Sequence, residues 1–163
     1  MDVEALKGIF TTLPVDVVAS VLFATAITVV TLRTGASISI AFSLALIIAT
    51  SLFAALPATF LLGSALASIA SPYVASAIFV ALTILLTYVL YRMTSTLSDD
   101  SARPLFAIAT GLATTVVVLV VWQMAAPLQS LWSFNGLVQG AFGEAYRLYW
   151  IMIAFVAFAF VKS

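Results

Sequence analysis

The chain reads as a series of long apolar runs separated by very short breaks. Between Arg33 and Arg92 there is no charged side chain at all. Uncharged apolar runs longer than about 18 residues predict helices that cross a bilayer. A transmembrane barrel would need apolar and polar positions to alternate. Runs such as "SLALIIAT" and "TTVVVLVVW" do not alternate. The pattern therefore predicts an all-α, polytopic transmembrane helix bundle, one membrane-embedded domain over residues 1–163.

Proline supplies the boundaries. Pro14, Pro57, Pro72, Pro104 and Pro127 all fall at or near the ends of apolar runs. Proline is tolerated in a helix's first turn and costs about 3 kcal/mol in its interior. Reading the prolines as boundaries predicts five spans, at about 15–32, 37–56, 72–91, 104–126 and 145–161. The fifth is near the lower length limit for crossing. A four-span map, with 145–161 in the interface or packed inside, stays open. Arg33, Thr34 and Gly35 form a tight turn, and "RMTSTLSDDSAR" (92–103) is the one clearly polar connection. Residues 58–71 are apolar but short. They fit a half-helix at the surface, a re-entrant segment, or a continuation of the second span past a kink at Pro57. Residues 128–143 are ambiguous in the same way.

Ahead of the first span, Val3, Leu6, Phe10 and Leu13 are spaced 3, 4 and 3, with Asp2, Glu4 and Lys7 mostly off that stripe. This predicts a short interfacial helix over 2–12. Asp2 and Glu4 stand where a signal peptide has basic residues, so this segment is expected to be retained.

Composition agrees with the pattern. Hydrophobic residues make up 64% of the chain and charged residues 7%. A soluble domain averages about 25% charged, so no solvated face can be built here. The few charges still test topology. In the five-span map Arg33, Arg92, Arg103 and Lys162 fall on one side, and Lys7 and Arg147 on the other. Basic residues mark the cytoplasm, which predicts the N-terminus outside and the C-terminus inside. A net charge of zero gives no argument for nucleic acid.

The inventory for chemistry is thin. There is no cysteine and no histidine. That removes thiol chemistry, the usual haem and zinc ligands, and the commonest general base. No cofactor or metal site is expected. Asp16, two residues into the first span, fits a protonatable carboxylate coupled to ion movement, since intramembrane acids are often functional. It fits better a helix-start acid at headgroup depth, favoured by the helix dipole. Glu144 and Arg147 are three apart and share a helix face. They are either an ion pair at a pathway mouth or, preferred, the cap of a span with Arg147 snorkelling to the interface. Gly136, Gly140 and Gly143 allow a small-residue packing interface, and equally a flexible loop. Trp122, Trp132 and Trp150, with Tyr146 and Tyr149, gather near one predicted surface as interfacial anchors. Tyr88, Tyr91 and Arg92 lie near the other. Asp99 and Asp100 are read as solvated loop acids.

Three places carry a family resemblance. Asp16 opens the first span, and Arg33 and Gly35 close it. A short apolar segment separates the second and third spans. "SARPLFAIATGLATTVVVLVVW" sets a basic residue before an apolar run with glycine. Together, over roughly residues 14–126, these resemble the colicin V production protein (CvpA-like) family of small bacterial inner-membrane proteins. That family sets arginine directly before glycine and has more glycines in its last helix. Here Thr34 intervenes and only Gly111 is present. The resemblance implies a non-enzymatic role in envelope function or secretion.

Three functions compete. The first is a small non-enzymatic membrane subunit of a homo-oligomer or larger membrane complex, serving envelope function, secretion or assembly, with lipid and other membrane subunits as partners. The second is an oligomeric transporter or pore for ions, protons or a small solute, with Asp16, Glu144 and Arg147 near the pathway. A hole-forming phage protein belongs to this class, but the highly charged tail often seen there is missing. The third, an intramembrane enzyme, needs clustered acids, a Ser–His pair or a metal. None can be assembled from this inventory.

Overall fold

The computed structural model describes residues 14–55, 71–94, 104–134 and 136–161. The expected interfacial helix over 2–12, residues 58–70 of the ambiguous segment 58–71, most of the 92–103 loop with Asp99 and Asp100, and Lys162 lie outside them. The described residues are helices joined by turns and short irregular links, with no strand among them. The helices are α1 (Val15–Thr34), α2 (Ala36–Ala55), α3 (Pro72–Thr94), α4 (Pro104–Met124), α5 (Ala126–Gln129), α6 (Leu137–Phe142) and α7 (Arg147–Val161).

Proline and glycine set the ends. Pro14 precedes α1, and its carbonyl accepts from the Val17 N–H at 2.9 Å. Pro72 and Pro104 are the first residues of α3 and α4, where a missing N–H costs nothing. Gly35 stops α1 at φ 91°, donating its N–H to the Thr31 carbonyl at 2.9 Å. A positive φ is easy only for glycine, and α2 starts at once. Four helices, α1 to α4, are long and apolar enough to cross a membrane. The expected fifth span is α7, with 15 residues, or about 22 Å at 1.5 Å per residue. That is short of a hydrocarbon core of about 30 Å.

Helix α4 is the hub. It packs against α1, α2 and α7, while α3 lies on α2. Helices α1 and α2 are joined by one residue yet touch little, since each faces α4. More than half of α4 is buried, against very little of α1. The main core joins Leu46, Ala49, Phe79, Val117, Val121, Ala154 and Phe158 from four helices. Phe53 and Phe79 meet edge to face at 5.8 Å between α2 and α3.

The distribution of side chains is the reverse of that in a water-soluble protein. Thr31, Ser39, Ser43, Thr83, Thr110, Thr114 and Gln123 are buried, while Val21, Leu22, Ile84, Leu85, Ile153 and Val156 face outward. Long helices that are apolar outside and small or hydroxylic inside suit a lipid solvent. The protein is a membrane helix bundle. Lipid tails are as apolar as leucine, so helices must be held by close packing and hydrogen bonds instead. Both are present. A Cβ on Gly111 of α4 would lie 2.7 Å from the Thr28 Cα of α1, so the two backbones nearly touch. Thr31 and Ser39 hydroxyls pair at 2.7 Å between α1 and α2, and Ser43 donates to Thr114 at 3.1 Å between α2 and α4.

Candidate functional site

The candidate site is at the end of the bundle where α4 stops. Residue 127 is proline, whose ring crowds the carbonyl four residues back and which offers no N–H. The chain turns at Ala125, with φ −83° and ψ 106°, and α5 follows. In a continuous helix the Gln123 carbonyl would accept from the N–H of residue 127, and Pro127 has none. Two side chains take its place. An Arg147 terminal guanidinium nitrogen donates to the Gln123 carbonyl at 3.1 Å, and the Gln129 amide donates to the same oxygen. The Pro127 carbonyl in turn accepts from Ser76 of α3 at 2.6 Å and from Ser130 at 2.7 Å.

Residues 130–143 fold over this end. Two indoles hold them. Trp122 donates its ring N–H to the Trp132 carbonyl at 2.8 Å, and Trp150 donates to the Ala141 carbonyl at 2.7 Å. The buried Gln123 amide donates to the Val138 carbonyl at 3.3 Å. Phe134 meets the edge of Trp122 at 6.0 Å and, with Val138 and Leu119, forms a small second core against Val17. The ambiguous segment is thus a packed cap on the bundle, with one short helix.

Between cap and bundle lies a cavity of about 310 Å³, lined by Trp122, Gln123, Trp132, Gln139, Glu144 and Arg147 among others. The Arg147 Nε is buried and has no hydrogen-bond partner among the described residues. Glu144 is exposed, and it forms no ion pair with Arg147 within 4.0 Å. The arginine has turned inward to cap a broken helix. A second hollow, about 340 Å³, opens at the opposite end around Thr31, Arg33, Gly35 and Pro104.

The expected residues separate. Glu144, Arg147, Trp122, Trp132 and Gly143 come together around the cavity. Asp16 starts α1 at the same end, beside Val17, but is not part of the lining. Trp150 ties α7 to α6. Open space surrounds the Cβ positions of Gly136 and Gly140, so no described helix packs on them. Gly136 has φ 62°, a turn conformation suited to glycine. The glycine at a close helix crossing is Gly111, with Thr28 against it. Among the described residues no three acids, histidines or cysteines gather as a metal site.

Gln123, Gln129 and Ser133 were not singled out by the sequence pattern. Gln123 did carry a signal: it is an amide within the apolar fourth run, "VVWQM". A polar group in a span needs a partner. No protein-family model, no curated protein and no solved structure matches the chain.

Proposed function

We propose that the chain is a small non-enzymatic subunit of a homo-oligomer or larger membrane complex, serving envelope function, secretion or assembly. The observation that carries this reading is the filled centre of the bundle. Val117, Val120, Val121, Phe79 and Thr114 are almost fully buried there, so the described residues form a packed interior. Little of helices α1 and α3 is buried among the described residues. In lipid such edge helices gain stability by packing on further helices. The resemblance to the colicin V production family points the same way. We place the protein in a bacterial cytoplasmic membrane. Arg33 and Arg92, at the end opposite the cavity, face the cytoplasm by the positive-inside rule, with the N-terminus outside and the C-terminus inside. Light scattering in mild detergent should give a multiple of the chain's own mass. A stable monomer at all concentrations would sink the reading.

One observation favours a second reading, an oligomeric transporter or pore: the polar cavity holding Arg147 and Glu144 at one mouth of the bundle. Ion or proton flux in liposomes tests it. Flux unchanged by Asp16→Asn removes Asp16 from any pathway.

A further inference from the structure

We propose that the cavity between the cap and α4 is a binding site for the headgroup of a zwitterionic phospholipid, one carrying a phosphodiester and a primary amine. The guanidinium of Arg147 presents five N–H donors. One of its terminal nitrogens donates to the Gln123 carbonyl, while the buried Nε–H has no partner among the described residues. A buried donor left unmade is costly, and a phosphate oxygen is the acceptor that a guanidinium matches best.

Glu144 lines the same cavity without pairing to Arg147. The site thus offers one positive and one negative group, held apart. A simple anion would meet the carboxylate, and a simple cation would meet the guanidinium. A ligand carrying both charges complements both. Carboxylate and side-chain carbonyls from Glu144, Gln139 and Gln129 are acceptors, which suits an ammonium with N–H donors over a quaternary amine with none.

The place in the fold selects a lipid over a free solute. The cavity sits where α4 ends and the indoles of Trp122 and Trp132 collect, at the depth where headgroups lie. Leu131, Leu137 and Leu148 are exposed at the same end and would run beside acyl chains. At about 310 Å³ the volume is at the small end of ligand pockets, about 300–1,000 Å³.

Native mass spectrometry of the full chain tests the proposal. The protein is released from nanodiscs containing equal amounts of phosphatidylethanolamine, phosphatidylcholine and phosphatidylglycerol. Retained phosphatidylethanolamine should exceed each of the others by about tenfold, the ratio one charge-assisted contact supplies. Arg147→Gln should abolish the retention. That variant also loses the cap on Gln123 and can unfold, so Glu144→Gln, at an exposed position, is the second variant. It should erase the preference over phosphatidylglycerol while the thermal unfolding midpoint stays unchanged. Equal retention of all three lipids in the parent chain, or an unchanged preference in Glu144→Gln, overturns the proposal. Displacement by soluble glycerophosphoethanolamine at concentrations comparable to the lipid would show a free-solute site and overturn the lipid assignment.

Discussion

Gly111 and Gly140 differ only in what stands opposite them. A methyl group on Gly111 would meet the Thr28 Cα at 2.7 Å, whereas one on Gly140 would meet nothing within 4 Å. Backbone cannot rotate away as a side chain can, so Gly111→Ala must push α1 off α4. Overpacking of this kind costs about 1–3 kcal/mol. Gly140→Ala should be neutral or slightly stabilising, by up to about 1 kcal/mol, because alanine loses less entropy in a helix. Denaturant unfolding in mixed micelles, with both variants side by side, checks the contrast. Equal effects would mean that the α1–α4 crossing is not a close contact. The same scale explains why the sequence offers Gly136, Gly140 and Gly143 as packing positions and not Gly111. Steric need depends on the opposing helix, and spacing along one chain does not reveal it.

At the scale of elements, the hydroxyl links deserve a direct measurement. Ser43 and Thr114 are both almost fully buried and bond at 3.1 Å between α2 and α4. A double-mutant cycle with Ser43→Ala and Thr114→Val should return a coupling of about 0.6 kcal/mol, the usual size for such pairs in lipid. A coupling of zero would leave small-residue packing as the whole attraction between these helices. Helix positions themselves were legible, because proline acts locally. Pro72 and Pro104 open α3 and α4 as expected, and the Arg33–Gly35 turn lies where its residues place it. The expected fourth span ran to residue 126. The helix stops at Met124, because Pro127 offers no N–H to the Gln123 carbonyl and its ring crowds that oxygen. Partnership between helices was not legible. The inner faces of the four long helices differ from the outer ones by Ser, Thr, Ala and Gly and not by charge, so no strong stripe marks them, and neighbours in sequence such as α1 and α2 need not be neighbours in space. The candidate site was half legible. Glu144 and Arg147 stood out as charges, but the reason Arg147 turns inward is an unmet carbonyl created by a proline twenty positions earlier in the chain.

The whole molecule has two distinct ends. Arg33 and Arg92 terminate α1 and α3 at one, while Asp16, Glu144 and Arg147 collect with the cap at the other. Helix α7 begins at the cap end, where Arg147 meets Gln123, and two and three turns later Ala154 and Phe158 join the core with Ala113 and Val117 of α4. It therefore runs back along α4. If α4 spans the bilayer, α7 lies in the same slab, and its short length is met by local thinning or snorkelling at a modest cost. The chain has no native cysteine, so single introduced thiols report topology cleanly. Thr34→Cys and Phe160→Cys should be labelled from one side of a sealed vesicle, and Ser133→Cys from the other. Labelling of Phe160→Cys together with Ser133→Cys would place α7 outside the spanning set. All three tryptophans of the chain sit at the cap end, two of them tethered to cap carbonyls through their ring N–H groups. Tryptophan fluorescence, excited beyond the tyrosine band, therefore views one face of the membrane and is blind to the other. Movement of residues 130–143 would change the emission colour, and brominated acyl chains would gauge its depth, with no dye attached.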